Sequence, residues 1–289
     1  MNEKVILVGN GINRINNSFS WSDLIDNLIS FIGAEGQINK DNKPFPLLYE
    51  EIVIEAMKNR GIEEKEVKKF IATETSKLHQ NSIHEELAKS NASNILTANY
   101  DFTLENAIKK SAETSDKGKI KQTTYSLFRH TENDNKKIWH IHGDSRISTS
   151  IMLGYEQYSG YLQKLREYVL GGKLYKSYST DSIKAKFENN SFEYDSWIEF
   201  FFTHDIHIIG LTLDFVEMHL WWLLTYRARR KHKSFPINNK IFFYYNSESH
   251  KEIKHRLELL KSCDVVPFSI NTKKDYEKFY LNAIKKIAP

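Results

Sequence analysis

The stretch Val5-Ile6-Leu7-Val8-Gly9-Asn10-Gly11, close to the start of the chain, decides the fold. Four consecutive apolar residues predict a short strand buried on both faces, because a half-buried strand would alternate apolar and polar residues. The strand ends at Gly9. The two glycines that follow permit a tight turn in which the backbone can approach a phosphate closely. We therefore expect the first strand of a parallel sheet, followed by a candidate ligand-binding turn.

Further along the chain, short apolar runs alternate with longer amphipathic segments. This alternation predicts an α/β fold, with a doubly wound, mostly parallel Rossmann-like sheet and helical insertions. No linker rich in Pro, Gly or Ser interrupts it, so we expect a single domain over 1–289, with helical insertions at about 34–90 and 150–203. The predicted strands are 5–8, 94–97, 138–141, 206–209, 241–245 and 265–268. The predicted helices are 21–32, 47–60, 63–79, 83–89, one ending near 110, 155–169, 180–187, 192–203, 215–231, 248–261 and 273–287.

Composition excludes several classes of protein. The 289 residues are 40% hydrophobic and 27% charged, which is typical of a globular chain, and the net charge of +4 does not by itself indicate nucleic acid. Cys263 is the only cysteine, so a disulfide within the chain, an all-cysteine zinc site and an iron–sulfur cluster within one chain are excluded. We expect a cytoplasmic protein without a signal peptide or membrane span. A basic cluster at the end of a predicted helix is either a solvated helix end or a contact with an oligomer partner or nucleic acid. Its residues are Arg227, Arg229, Arg230, Lys231 and Lys233.

Polar clusters follow five of the predicted strands. In doubly wound sheets, ligands bind outside the carboxyl ends of the strands, so we expect the clusters to form one site. The alternative is that they are ordinary turns, which favour the same residue types. The clusters are Gly9-Asn10-Gly11, Asn99-Tyr100-Asp101, His142-Gly143-Asp144, Gly210-Leu211-Thr212 and Asn246-Ser247.

Familiar nucleotide and nucleophile motifs are absent from the sequence. The first turn lacks the third glycine of a dinucleotide fingerprint, since Arg14 stands there, and it lacks the Lys-Ser/Thr pair of a P-loop. No G-x-S-x-G elbow supports a serine hydrolase.

Two histidines at the end of one predicted strand are compatible with a metal site. His140 and His142 are two residues apart and point the same way, and with Asp144 they form a His-x-His-x-Asp run similar to that of binuclear metallohydrolases. Those enzymes continue with another histidine, whereas this chain has Ser145. For His140, a place in the core is the alternative. Other histidines could complete a metal site, among them His204, His207 and His219.

Taken together, the clusters resemble those of the sirtuin-like superfamily of NAD-binding domains. In sirtuins a Gly-rich loop follows the first strand, a T-Q-N-I-D run follows a later strand, and an H-G pair, a G-T-S run and an Asn come after it. The corresponding residues here keep this order from residue 5 to about 268. They are Gly9-Asn10-Gly11, Thr97-Ala98-Asn99-Tyr100-Asp101, His142-Gly143, Gly210-Leu211-Thr212 and Asn246.

The chain also differs from deacylating sirtuins, and the differences indicate which branch of the superfamily it resembles. The four zinc-binding cysteines are missing, and Trp21-Ser22-Asp23-Leu24 stands where sirtuins have Pro-Asp-Phe-Arg. The chain thus resembles the zinc-free sirtuin-like proteins of bacterial antiphage defence. That branch implies NAD⁺ hydrolysis, which depletes the cofactor in abortive infection, with NAD⁺ as substrate and no zinc or other cofactor. Because unrestrained NAD⁺ loss would kill the host cell and the sequence shows no second sensory domain, we expect control by a separate regulatory or sensor protein, by homo-oligomerisation, or by both.

The resemblance assigns roles to individual residues. Asn99 would orient the ribose or the attacking water, and His142, with a pKa near neutral, would accept a proton. Asp101 would hold the nicotinamide carboxamide. The remaining residues expected to bind NAD⁺ are Gly9, Asn10, Gly11, Asn13, Gly210, Thr212 and Asn246.

Two other functions stay open. One is a metal-dependent hydrolase that uses His140, His142 and Asp144. The other is a catalytically silent NAD-sensing subunit of a defence complex. A stripe in the second insertion either packs on the chain's own core or binds a partner: Tyr155, Tyr158, Tyr161, Leu162 and Leu165.

Overall fold

A mostly parallel sheet organises the protein. The computed structural model describes residues 3–15, 20–108, 116–133, 135–176, 178–233 and 235–287. Within them the strands are β1 (Lys4–Val8), β2 (Asn94–Thr97), β3 (Asp116–Lys117), β4 (His130–Asn133), β5 (Lys136–His140), β6 (Gly172–Tyr175), β7 (Tyr178–Thr180), β8 (Asp205–Ile209), β9 (Ile241–Asn246) and β10 (Val265–Ile270). In the described part of the chain, eight strands form one sheet in the order β10-β9-β8-β1-β2-β5-β4-β3, and β6 pairs with β7 separately.

The winding of the sheet confirms the predicted fold class. The six strands β5, β2, β1, β8, β9 and β10 run parallel to one another, and this order is that of a doubly wound Rossmann-like sheet. β4 pairs with β5 in the antiparallel direction. The winding reverses between β1 and β8. Val8 is level with both Thr97 and Ile209, so three neighbouring strands end together at one edge.

Helices cover both faces of the sheet. They are α1 (Trp21–Phe31), α2 (Phe45–Arg60), α3 (Glu64–Ser76), α4 (Ser82–Lys89), α5 (Thr103–Ile108), α6 (Tyr155–Leu170), α7 (Ile183–Asn189), α8 (Phe200–Thr203), α9 (Met218–Lys231), α10 (His250–Ser262) and α11 (Tyr276–Ile287). Ser20 caps α1 with its side chain, as its position before the first apolar stripe predicts. The helix predicted to end near Lys110 begins as α5, and its predicted end lies outside the described residues.

The first strand joins two separate cores. Val5 and Leu7 pack into a cluster that includes Trp139, whereas Ile6 and Val8 pack with residues of α4 and α11 on the other face. All four side chains are fully buried. The uninterrupted apolar run of β1 therefore has the cause that the sequence predicts, since each face of the strand meets its own core.

Several predicted helices have other bounds in the structure, and three of the differences have a visible consequence or cause. The helix predicted over 192–203 is wrong in its first half, because Tyr194 adopts a left-handed backbone and only a 3-10 turn, Trp197–Glu199, precedes α8. The one predicted over 180–187 starts later, because Ser182 caps α7. The one predicted over 215–231 begins only at Met218, which leaves Glu217 ahead of the first turn. The strands β3 and β4 were not predicted. Nor was the hairpin β6–β7, which lies within 150–203, so the second insertion is not purely helical.

Two groups of residues that the sequence left open as surface contacts contain side chains that the structure buries. In the α6 stripe, Tyr158, Tyr161 and Leu165 are buried in the protein's own core, so the partner-binding alternative is wrong for them. Arg227 is fully buried and donates to the carbonyl oxygens of Phe201 (2.8 Å) and Asn239 (2.5 Å), so it is no part of a solvated basic cluster. Among the described residues, no helix has the length and apolar character needed to cross a membrane.

The loops after β1 and β8 are in direct contact. The backbone N–H of Gly11 donates to the carbonyl of Gly210 (2.9 Å). A Cβ on Gly9 would lie 2.6 Å from the Gly210 oxygen and from the Leu211 Cα, and Gly9 itself has an ordinary negative φ. Gly9 is therefore required for close packing of two loops rather than for an unusual backbone conformation.

We expect Gly9→Ala to lower the free energy of unfolding by about 1–3 kcal/mol, because the two loops must separate to admit the methyl group. Urea unfolding measured at equilibrium would test this. An unchanged midpoint would show that the loops separate at no cost, which would contradict the tight contact described above.

Candidate active site

The five predicted polar clusters all lie at the carboxyl edge of the sheet, where β1, β2, β5, β8 and β9 end. The structure does not join them into one hydrogen-bonded array. Instead, two separate buried networks form, one around Asn13 and Asp101 and the other around His142.

The first network, here called the amide network, consists of Asn10, Asn13, Asn81, His84 and Asp101. The Asn13 amide nitrogen donates to Asp101 Oδ2 (2.8 Å) and to Asn10 Oδ1 (3.0 Å). The Asn13 Oδ1 meets His84 Nε2 (2.9 Å), and the Asn81 amide nitrogen donates to the carbonyl of Ile12 (2.8 Å). Asn13 and Asp101, two of the predicted site residues, are thus held together and oriented.

His84 sets the direction of this network. Its Nδ1 accepts the backbone N–H of Asn81 (3.0 Å), so a neutral ring carries its proton on Nε2 and donates it to Asn13. Burial lowers the pKa of His84 to about 4, against a smaller opposing effect of the Asp101 carboxylate. His84 is therefore neutral at pH 7, and Asn13 is left to donate its N–H groups to Asp101 and Asn10.

Asn99 is buried beside this network, and its side-chain Oδ1 has no hydrogen-bond partner within the described structure. A buried amide oxygen without a partner is costly unless it serves a ligand or a water molecule. A cavity of about 20 Å³ lies next to it, which is room for a single water molecule. The cavity is lined by Asn10, Ser20, Trp21, Leu24, Thr75, Leu78, Asn99, Tyr100 and Asp101.

His140 supports Asn99 from the core side. Its Nδ1 donates to the backbone carbonyl of Asn99 (2.9 Å) and its Nε2 to Glu105 Oε1 (2.9 Å). Burial disfavours the imidazolium, but the adjacent Glu105 carboxylate outweighs this and raises the pKa of His140 to about 9. His140 is a paired core histidine, which was one of the two alternatives left open by the sequence.

The metal-ligand set proposed from the His-x-His-x-Asp run is not assembled. His140 is occupied by Glu105, and Asp144 forms a buried ion pair with Arg129. His204 meets Glu3 and His207 meets Tyr244, so neither approaches His142. The corresponding metallohydrolase alternative therefore lacks a ligand set.

The second network, here called the His–Glu trio, consists of His142, Glu217 and His219. The two Nε2 atoms are 2.9 Å apart, and Glu217 Oε2 lies 3.3 Å from the first and 3.9 Å from the second. Burial lowers the pKa of His142 to about 3, so the expectation of a near-neutral pKa is wrong in this conformation. Burial also raises the pKa of Glu217 to about 8, with a smaller effect of Asp214.

The other predicted site residues are held by their own surroundings. Gly210 has the left-handed φ of 65° and packs against Ile12. Thr212 is exposed, and its carbonyl accepts a hydrogen bond from Arg256 (2.8 Å). The amide of Asn246 donates to Thr272 Oγ1 (3.2 Å) and to the carbonyl of Lys273 (2.6 Å), away from both networks. Their roles in binding NAD⁺ stay predictions.

Sequence reasoning missed three residues of these networks. Asn81 and His84 lie at the start of α4, far from any strand end, and the only available signal was that Asn81 is a good helix cap. Glu217 was placed inside a predicted helix, where it gave no sign of facing His142.

The arrangement defines a class of protein. A sheet in Rossmann-like order, with buried polar side chains at the edge where its winding reverses, is typical of α/β proteins that bind nucleotides. Residues 93–192 match the family model of the SIR2-like domain. This match confirms the predicted resemblance to the sirtuin-like family over that segment, and it indicates an NAD-related function. No curated protein matches the chain in sequence.

The amide network gives a prediction for acid stability. The pKa of His84 is lower in the folded chain than in the unfolded one, so the folded chain binds fewer protons between pH 6.5 and 4. The corresponding stabilisation is complete above pH 6.5 and is lost as the pH falls through 4. It amounts to about 3 kcal/mol at most. Urea unfolding of the protein and of His84→Gln at several pH values should show a shallower acid dependence in the variant. Equal slopes would contradict the role given to His84.

Proposed function

We propose that the protein is an NAD⁺ glycohydrolase, which cleaves the bond between nicotinamide and ribose. The observation that carries the proposal is Asn99, whose buried and unpartnered Oδ1 lies beside a water-sized cavity and next to Asp101. These residues stand where sirtuin-like domains carry the Asn and Asp of their T-Q-N-I-D run, within the segment that matches the SIR2-like domain.

The reaction makes modest demands on the protein. The bond from the anomeric carbon to nicotinamide breaks with its electron pair passing to the cationic ring nitrogen, so the leaving group departs neutral and needs no acid. The transition state resembles an oxocarbenium ion, as in glycoside cleavage. Water adds to the same carbon and loses one proton, which gives ADP-ribose, nicotinamide and a proton. The site must therefore hold the ribose, exclude bulk solvent and place one water molecule.

The chain's own residues meet these demands in the proposal. Asn99 Oδ1 accepts a hydrogen bond from the attacking water or from a ribose hydroxyl, and the amide stays neutral beside a cationic substrate. Asp101, oriented by Asn13, accepts from the nicotinamide carboxamide. His142 is neutral, so it offers a nitrogen lone pair without adding positive charge to a site that binds a cation.

The cleft has to widen before a dinucleotide enters. The cavity of about 20 Å³ beside Asn99 is far smaller than the roughly 300–1,000 Å³ of ordinary ligand pockets. Trp21 forms one wall and contacts the ring of Tyr100 edge-on, with centroids 5.7 Å apart. We propose that displacement of Trp21 opens the cleft.

The activity fits a role in antiphage abortive infection, in which loss of NAD⁺ stops the infected cell. Such a hydrolase has to be restrained in healthy cells, and we propose control by a separate regulatory or sensor protein or by homo-oligomerisation. The outer face of α2, in the first insertion, supports this because its apolar side chains are about half exposed. They are Leu47 (50%), Ile54 (48%) and Met57 (55%).

We expect Asn99→Ala and His142→Ala each to lower the rate of NAD⁺ loss by about 100-fold or more, since each removes a group placed at the reacting ribose. Asn99→Ala removes no hydrogen bond at Oδ1, because that atom makes none in the described structure, so the variant should still fold, which thermal melting checks. Chromatography of NAD⁺, nicotinamide and ADP-ribose measures the reaction, and the exposed His255→Ala serves as control. Full activity in a well-folded Asn99→Ala protein would refute the mechanism. NAD⁺ binding without turnover, alone and with candidate partners, would favour the silent NAD-sensing subunit.

We expect Ile54→Glu to block activation by assembly without changing the melting temperature, because a charge on the exposed face of α2 disrupts an apolar interface but not the core. Light scattering and the NAD⁺ assay, with the purified chain and with candidate partners, measure both effects. Lys251→Glu, at an exposed position of α10 away from α2, is the charge control. Vigorous hydrolysis by a demonstrated monomer would contradict external control.

A further inference from the structure

Three buried electron-pair donors converge beside the proposed catalytic centre. His142 comes from the loop after β5, while Glu217 and His219 flank the first residue of α9. Among the described residues, these three are the group of His, Cys, Asp or Glu side chains that is close enough to hold one ion. Glu217 Oε2 is buried and makes no hydrogen bond.

The spacing of these donors is that of a zinc site. The three separations of 2.9, 3.3 and 3.9 Å between Nε2, Nε2 and Oε2 place a common point about 2.0 Å from each atom. Zinc binds histidine nitrogen and carboxylate oxygen at about 2.0–2.2 Å. Hydrogen bonding explains the arrangement less well. One Nε2–H can join the two rings, but Glu217 Oε2, which faces both, makes no hydrogen bond in the described structure.

The donor set also has the right chemistry. Two imidazoles and one carboxylate bind Zn²⁺ in proteins with a fourth position open to water. The ion would be reached through Glu217, whose side chain is 13% exposed while both histidines are almost fully buried. A bound cation would also give the Glu217 oxygen the partner that it lacks in the described structure.

We propose that His142, Glu217 and His219 bind one divalent transition-metal ion, for which Zn²⁺ is the best match, and that the bound ion switches off NAD⁺ hydrolysis. The inhibitory part rests on the proposed function. A metal on His142 Nε2 fixes the ring and adds positive charge beside a cationic substrate. The zinc site is then a restraint on the enzyme and not part of its chemistry.

The binding test uses the full chain and ZnCl₂ alone. After treatment with EDTA and its removal, isothermal titration should show one zinc ion per chain. Glu217→Gln and His219→Gln should each weaken binding by about tenfold or more, since even the loss of an outer-shell partner costs roughly 10–100-fold. The exposed His255→Gln is the matched histidine control, and thermal melting verifies that each variant is folded. Equal zinc binding by all four proteins would place the ion elsewhere and overturn the site.

The activity test compares each protein with its own zinc-free rate. Excess EDTA should leave NAD⁺ hydrolysis unchanged or increased, and added zinc should inhibit the unsubstituted chain far more than Glu217→Gln. Equal inhibition of the two would overturn the inhibitory role. Activity lost in EDTA and restored by zinc would overturn it as well, and would favour a metal-dependent hydrolase built on these residues.

The two proposals fail separately. If the chain hydrolyses no NAD⁺ under any condition, the titration still decides whether the zinc site exists. If zinc does not bind, the Asn99→Ala and His142→Ala comparison still decides the hydrolase.

Discussion

The parallel pairing of β1 with β2 on one side and β8 on the other is the constraint on which the site depends. Because Val8 is level with Thr97 and Ile209, the chain leaves three neighbouring strands at one height. The loops after β1 and β8 then pack backbone against backbone, which only glycine at position 9 allows. That contact fixes the 3-10 turn over Asn10–Ile15, and through it the position of Asn13.

The protonation states of the histidines at this edge of the sheet are set by burial and by neighbouring charges, and not by residue type alone. Three histidines illustrate this. His140 is held protonated by Glu105, whereas burial keeps His84 neutral within its hydrogen bonds and keeps His142 neutral beside a second histidine. A buried polar group is tolerated where its partners satisfy it, as in the amide network. Two of the buried atoms without a partner, Asn99 Oδ1 and Glu217 Oε2, lie beside a cavity or face other electron-pair donors, and the two proposals rest on them.

The two networks divide the proposed functions between them. The amide network lies at the strand end that carries Asn99 and holds Asp101 in place, which suits recognition of a substrate. The His–Glu trio lies at the next strand end and at the start of α9, and it brings three electron-pair donors within 3.9 Å of one another. His142 belongs to the trio and stands where sirtuin-like domains have their H-G pair. It therefore takes part in both proposals, as a residue of the hydrolase site and as a ligand of the inhibitory metal ion.

The sequence alone determined the alternation of strands and helices, the parallel sheet and the strand ends that carry polar residues. These follow from local patterns, because an apolar run of four residues and an amphipathic stripe are each visible within a short window. The sequence could not determine which polar residues meet. From the start of a helix about 70 residues away, Asn81 reaches the carbonyl of Ile12 and His84 reaches Asn13. Glu217 faces His142 from the residue just before α9. Nor could it reveal the pKa of His142, since that value depends on burial by distant segments. Those features were decided by the tertiary structure, because side-chain contacts and desolvation depend on neighbours that the chain brings together only on folding.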